Sequence, residues 1–193
     1  AAALLVEVVR ASPRPESRVQ AIATLVQMDK FPADLFFLAL ADPHSRVREV
    51  AVTFAGESRS PEVRRKVCSL ATDPDAKVRL QVAILCGEWP EGEAGAALAA
   101  IAVSDHADPL FRSAVMTSAL AHAEALSRAI AAAAPEVAAV YRESILRMAV
   151  GQGRPATVAA LLDGALAASQ AIRTSSLDPL LADMQRVGVD PWG

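Results

Sequence analysis

The side chains of this sequence that could bind a metal ion through nitrogen or sulfur are those of three histidines and two cysteines, His44, His106, His122, Cys68 and Cys86. A transition-metal site needs clustered ligands at a fixed spacing, such as the two histidines of an H-E-x-x-H motif. No histidine here stands in such a motif or next to a glutamate. We therefore expect no metal site and no cofactor. His44 and His106 are predicted to be solvated turn residues, and His122 to cap or pack a helix.

Nucleophilic catalysis finds no support in the sequence either. There is no G-x-S-x-G motif and no glycine-rich phosphate loop after a strand. The pair of glycines in "GQGR", 151–154, follows a helical pattern and is explained as a helix end and turn. Neither cysteine has a histidine nearby in the sequence that could generate a thiolate. We expect that the protein is not an enzyme.

Charge argues against a nucleic-acid-binding protein, and hydropathy argues against a membrane-spanning one. The chain has 19 basic and 22 acidic residues, for a net charge of −3, whereas a domain that binds nucleic acid through phosphates is normally basic. The short basic run "EVRRKV", 62–67, distributes its charges around a helix and indicates a solvated outer face. No run of about 18 apolar residues occurs, so we expect no membrane span.

The composition and the positions of the prolines predict that the histidines and cysteines are carried by helices. Of 193 residues, 53% are hydrophobic and only 4% aromatic, which favours close helix packing. Most prolines follow an aspartate or serine, a pair typical of the N-cap and first position of a helix, as in Asp42-Pro43, Asp73-Pro74 and Asp108-Pro109. We predict helices at about 1–11, 15–29, 32–41, 45–58, 61–71, 76–88, 92–104, 109–121, 122–133, 136–150, 155–168 and 176–187.

This arrangement places Cys68 and Cys86 on the two helices of one hairpin, with its turn near Pro74. Cys68 should then face a residue near position 80. Cys86 lies about six residues further, or roughly 9 Å along the axis at a rise of 1.5 Å per residue. We expect two buried free thiols and no bridge between them.

A repeated pattern explains why these helices occur in pairs. The stretch "ADPHSRVREVAVTFAGE", 41–57, is answered 31 residues later by "TDPDAKVRLQVAILCGE", 72–88. A third copy, "ADPLFRSAVMTSAL", 107–120, follows at an offset of 33, and "SRVQAIATL", 17–25, aligns with "SRVREVAVT", 45–53, at an offset of 28. Such periods are typical of a solenoid. The pattern D-P-x-x-x-V-R followed by a small-residue helix resembles the HEAT repeat, strongly over 32–121, fairly over 1–31 and weakly over 122–193.

The resemblance implies an all-α, right-handed superhelix of about five to six helical hairpins. Residues 1–193 are then one domain, which we expect to be a piece of a longer protein. In that family the turn aspartate and the helix arginine bond between neighbouring repeats as a ladder. By this resemblance Asp42 and Asp73 are ladder acids, and Arg48 and Arg79 are ladder bases. Asp105 or Asp108 would pair in the same way with Arg112.

The family also lines its concave face with the second helix of each hairpin. The residues that point away from the predicted apolar stripes, and so toward that face, are Glu49, Thr53, Leu80, Ile84, Ser113 and Thr117. Leu80 and Ile84 are apolar and one turn apart, so they could form a small docking patch for a partner. The alternative is lateral packing against the neighbouring repeat.

Three functions follow from the resemblance. The first is a non-catalytic scaffold that binds a protein partner or a neighbouring domain of the same chain. The second is a spacer in a large redox enzyme, because "GEW", "GE" and "LLDGAL" near position 162 resemble the HEAT segment of planctomycete-type proteins with a sugar-dehydrogenase domain and a cytochrome c domain; no C-x-x-C-H haem motif occurs here. The third and least favoured is nucleic-acid binding, for which the second helices offer Arg46, Arg48, Lys77, Arg79 and Arg112. The compartment is not indicated.

Overall fold

The computed structural model describes residues 1–58, 60–90, 92–151, 153, 156–159, 178 and 181–188, and every regular element among the described residues up to 151 is a helix. Ten are α-helices. Two short 3₁₀ turns, Ser69–Thr72 and Ala119–His122, continue the fifth and the eighth of them. The bounds are α1 Ala2–Ala11, α2 Pro15–Gln27, α3 Ala33–Leu40, α4 Ser45–Ala55, α5 Pro61–Cys68, α6 Ala76–Cys86, α7 Glu93–Ser104, α8 Pro109–Ser118, α9 Ala123–Ala132 and α10 Pro135–Gly151.

Consecutive helices pair as hairpins, and the hairpins stack. The first helices of the hairpins, α1, α3, α5, α7 and α9, pack on one another in one layer, while the second helices, α2, α4, α6, α8 and α10, form the other layer. The predicted all-α solenoid is confirmed, with five hairpins in the part of the chain that the structure describes. The first ten predicted helices match α1 to α10 within a few residues. Of the last two predicted helices, 155–168 is described only at residues 156–159 and 176–187 only at 178 and 181–187; residues 156–159, 178 and 181–186 are helical, and the rest lies outside the described residues.

The buried face of each second helix sets the register of the repeats. Three residues of α2 are buried: Ala21, Ile22 and Leu25. The residues 30 positions later, on α4, are buried in the same way: Ala51, Val52 and Ala55. The predicted offset of 28 between these two helices is therefore wrong. It matched two similar "SRV" triplets, but burial decides the register because only one face of each helix can reach the core.

The helix starts differ from the prediction at two aspartates. Asp42 and Asp73 were expected as N-caps, but α4 and α6 are capped by His44 and Asp75, whose side chains accept hydrogen bonds from backbone N–H groups of the first turn. Each earlier aspartate instead accepts from the N–H two residues on, at 2.8 Å for His44 and 2.9 Å for Asp75. This geometry holds the two carboxylates at the hairpin turn, where they remain available to a neighbouring repeat.

The second helices α6 and α8 approach each other closely at Gly87. A Cβ atom added there would lie 2.6 Å from Oγ and 3.0 Å from Cα of Ser118. The Ser118 hydroxyl donates a hydrogen bond to the Ala83 carbonyl at 2.8 Å. Nearby, Nε2 of the buried His122 lies 2.7 Å from the Cys86 carbonyl. Because a carbonyl only accepts, this imidazole carries a proton on Nε2.

The cysteine pair also departs from the prediction. Both thiols are free, and Cys68 is only partly buried. Each is the largest influence on the pKa of the other, so they lie near each other instead of being separated along the axis. The predicted separation along the helix axis was counted between Cα positions only. Side chains lean toward the N-terminus of their own helix. In an antiparallel pair this moves Cys68 away from the turn and Cys86 toward it, and the 3₁₀ turn after Cys68 adds length at about 2.0 Å per residue.

Candidate interaction surface

An arginine stands four residues after the N-cap of four of the second helices. These are Arg18, Arg48, Arg79 and Arg112, of α2, α4, α6 and α8. In each, Nη1 donates to a backbone carbonyl six residues earlier, at distances of 2.7, 2.8, 2.8 and 3.1 Å respectively. This bond ties the arginine to the turn of its own hairpin and leaves Nε and Nη2 directed at the next one.

Three of these arginines bind the turn aspartate of the following hairpin with both remaining nitrogens. The bonds from Nε and Nη2 measure 2.8 and 2.7 Å for Arg18 on Asp42, 2.7 and 2.8 Å for Arg48 on Asp73, and 3.0 and 2.6 Å for Arg79 on Asp105. The side chains of all six residues are 19% exposed or less. We call this set of three bidentate pairs the Arg–Asp ladder. It fixes neighbouring hairpins in orientation as well as distance.

In each pair of the ladder the arginine binds the aspartate of the following hairpin. The sequence interpretation missed the first arginine and assigned the last aspartate to the wrong partner. Arg18 was not identified, because the offset of 28 aligned it with Arg46. Asp105 accepts from Arg79, and Asp108 caps α8 by accepting from the N–H of Leu110 at 2.8 Å. The prediction that either of them pairs with Arg112 is therefore wrong.

Arg112 is the last arginine of the series and binds no acid among the residues that the structure describes. Its hydrogen bonds there go to the carbonyls of His106 and Ala107. The next turn in the series, between α9 and α10, consists of Ala133 and Ala134 and offers no carboxylate. One turn beyond the corresponding position of α10, the buried Arg142 lies 3.9 Å from Asp183.

The ladder changes the acidity of its carboxylates. Burial alone would raise the pKa of Asp73, but the hydrogen bonds from Arg48 and from the N–H of Asp75 outweigh it, and the pKa falls below its ordinary value of 3.8. The pKa of Asp105 is lowered in the same way, with burial opposed by Arg79 and by the Ser104 hydroxyl. Both carboxylates are therefore ionised at neutral pH.

We expect the ladder to weaken in acid. A carboxylate with a depressed pKa stabilises the fold fully above its unfolded value of 3.8, and this contribution disappears as the pH falls through the folded value. The free energy of unfolding, measured by urea titration from neutral pH to about pH 3, should therefore decline more steeply below about pH 4 in the wild type than in Asp73→Asn. Identical slopes in the two proteins would show that Asp73 contributes nothing to the acid sensitivity.

The predicted partner-binding residues occupy two repeated positions, five and nine residues after each N-cap. We call them the second-helix stripe: Glu49 and Thr53 on α4, Leu80 and Ile84 on α6, and Ser113 and Thr117 on α8. Counting from the other N-caps adds Val19 and Ala23 on α2, which the sequence interpretation missed because its register was two residues off. The stripe crosses the layer of second helices beside the ladder arginines, which stand one residue before its first position.

The polar members of the stripe are satisfied within their own helices. Thr53, Ser113 and Thr117 each donate to the carbonyl four residues earlier, at 3.0, 3.0 and 2.8 Å. Glu49 is paired with Arg46 at 2.8 Å. All four side chains are paired within their own helices, so a partner would not have to break a hydrogen bond between helices to reach them.

The apolar members divide between the two alternatives that the sequence left open. Leu80 is partly buried and packs against the core, as lateral packing requires. Ile84 is 48% exposed and is therefore the large apolar side chain of the stripe that is open to a partner. The patch is thus one protruding isoleucine between the small side chains of α4 and α8.

The described residues also bear on metal binding, membrane spanning and nucleic-acid binding. No group of three or more His, Cys, Asp or Glu that could hold a metal was found among the described residues. Within that same portion no helix is both long and apolar enough to cross a membrane. Of the cations considered for nucleic acid, Arg48 and Arg79 bind ladder acids, and Arg46 is paired with Glu49.

Comparison with known proteins agrees with the repeat pattern. The model of a family described as HEAT repeats matches residues 32–121, which extend from the start of α3 into the 3₁₀ turn after α8. HEAT repeats generally mediate protein–protein interaction and are generally non-catalytic. The chain has no match among curated proteins or solved structures.

Proposed function

Because residues 32–121 match the model of the HEAT repeats, we propose that this chain is a non-catalytic scaffold that binds a protein partner, or a neighbouring domain of the same chain, on the second-helix stripe. The observation that carries the proposal is Ile84, a large apolar side chain left 48% exposed near the C-terminal end of α6, where α4 and α8 carry Thr53 and Thr117 at the same position. An interface typically takes most of its binding energy from a few central anchors surrounded by weaker contacts.

The Arg–Asp ladder supports this role by holding the surface rigid. Three of the second helices that carry the stripe, α4, α6 and α8, are joined by the pairs Arg48–Asp73 and Arg79–Asp105, each with two bonds of 3.0 Å or less. A surface whose spacing is fixed before binding loses less conformational entropy when a partner docks. The stripe is therefore preorganised across at least three repeats.

The proposal predicts that Ile84→Arg weakens partner binding about 10-fold to 30-fold, since loss of a central anchor costs roughly 1.4–2 kcal/mol or more. A photo-crosslinking amino acid at position 84, in cells that express the native protein, would first identify the partner or domain in contact. Titration calorimetry with the purified partner then measures the dissociation constants of wild type and variant.

The matched control is Leu38→Arg. Leu38 is 45% exposed, close to the 48% of Ile84, but stands on α3, in the layer of first helices. It should leave affinity unchanged, and both variants should melt as the wild type does because neither side chain is buried. Weaker binding by Leu38→Arg with unaltered binding by Ile84→Arg would place the interface on the other layer and refute the proposal.

A further inference from the structure

Cys68 and Cys86 end the two helices of the third hairpin, and their surroundings differ sharply. Cys86 is fully buried, at 0% exposure, whereas Cys68 is partly exposed. Cys68 lines an open cavity of about 360 Å³ together with Trp89 and Pro90, which follow directly after α6. The shared lining places Cys68 at the same end of α6 as Cys86. One thiol thus faces solvent and the other lies behind it in the core.

From this geometry we propose that Cys68 is a thiol modification site, at which a low-molecular-weight disulfide is reduced and a reversible Cys68–Cys86 disulfide forms. Cys68 is the attacking thiol and Cys86 the resolving one. The remaining cavity wall includes Arg64, Arg65 and Glu93, and Arg65 is paired with Glu62 at 3.3 Å. Because the cavity is open to solvent, a small disulfide such as one of the glutathione type can approach Cys68.

The chemistry requires no component beyond that disulfide. The Cys68 thiolate attacks one sulfur of RSSR, a new S–S bond forms, and the old one breaks as RS⁻ leaves and takes up a proton. The Cys86 sulfur then loses its proton and attacks the Cys68 sulfur, which releases a second RS⁻ that is protonated in turn. Two protein thiols are oxidised to a disulfide, and RSSR is reduced to two RSH.

The order of attack follows from the protonation of the pair. The hydrogen bond from Cys86 lowers the pKa of the Cys68 thiol below its ordinary value, although burial and Glu93 act in the opposite direction. The same hydrogen bond, followed by burial, raises the pKa of the Cys86 thiol. The first proton therefore leaves Cys68, which is also the thiol that an external disulfide can reach.

The proposal is tested by incubating the reduced, folded full chain with oxidised glutathione, trapping free thiols by alkylation and mapping tryptic peptides. We expect the peptide 67–77, which contains Cys68, to be linked to the peptide 80–112, which contains Cys86. The linked protein should melt about 5–10 °C higher, because the bridge closes a loop of moderate length. A wild type that shows no linked peptide while folded overturns the proposal without recourse to any variant.

Two substitutions separate the roles of the thiols. In Cys86→Ala the reaction should stop at a glutathione adduct on Cys68, because the resolving thiol is missing. In Cys68→Ser the buried Cys86 should stay unmodified, and circular dichroism checks that both variants are folded. Modification of Cys86 in folded Cys68→Ser at the wild-type rate would contradict the assignment of Cys68 as the attacking thiol.

Discussion

Asp73→Ala is expected to lower the free energy of unfolding by about 3–5 kcal/mol, because it leaves the guanidinium of Arg48 in a largely buried position without its counter-charge. The Asp73 side chain is 3% exposed and that of Arg48 11% exposed, so water replaces little of the lost interaction. The substitution also removes the acceptor for the Asp75 N–H, which closes the turn before α6. Urea denaturation followed by circular dichroism measures the change.

The control for Asp73→Ala is another ion pair between hairpins that is open to solvent. Asp34 binds Arg10 at 2.9 Å, but their side chains are 65% and 48% exposed. Asp34→Ala should therefore cost no more than about 1 kcal/mol.

A double-mutant cycle isolates the unpaired charge. Arg48→Ala combined with Asp73→Ala should cost less than the sum of the two single changes, because no isolated charge remains. Strict additivity, or equal losses in Asp34→Ala and Asp73→Ala, would show that the ladder bond has no special weight.

Gly87→Ala is expected to destabilise the protein by about 1–3 kcal/mol through overpacking. The added methyl group would meet Ser118 at 2.6 Å from Oγ and 3.0 Å from Cα, and the Cα belongs to the backbone of α8's last residue and cannot turn aside. The backbone at Gly87 is right-handed helical, with φ −64° and ψ −20°, so alanine introduces no strain of its own. The loss in free energy of unfolding therefore reports how closely α6 and α8 approach each other at Gly87.

Gly56 provides the matched control because it occupies the same place in the preceding repeat, 31 residues earlier, with a similar backbone of φ −57° and ψ −33°. Its closest neighbour is Cδ1 of Leu85 at 2.9 Å, the far end of a flexible side chain that can rotate away. Gly56→Ala should change the free energy of unfolding by less than about 1 kcal/mol. Thermal melting of the two variants side by side decides the point, and equal losses would contradict the close approach at Gly87.

The helices and their pairing could be predicted because local rules determine them. Proline stops and apolar spacing placed α1 to α10 within a few residues, and the match between 41–57 and 72–88 identified the repeating unit. The register of α2 could not be predicted in this way. Its "SRV" triplet resembles that of α4, whereas the true correspondence of Ile22 with Val52 depends on which face reaches the core.

Contacts between repeats were harder to predict than the repeats themselves. Asp42 and Asp73 look like N-caps in the sequence, but each closes an Asx turn and receives an arginine from the preceding hairpin. The direction of that bond depends on how the hairpins stack. The contact between Cys68 and Cys86 depends on side-chain tilt and a 3₁₀ turn, neither of which a count of residues along a helix axis includes.

The end of the ladder at Arg112 also determines how cooperatively the array unfolds. In a chain of repeats, stability is a sum of the intrinsic stability of each unit and the coupling between nearest neighbours. Hairpins one to four are coupled by charged bonds as well as by packing, whereas the fourth and fifth meet, among the described residues, at a turn of alanines and are coupled by packing alone. The seam between the fourth and fifth hairpins is therefore where we expect the array to separate first.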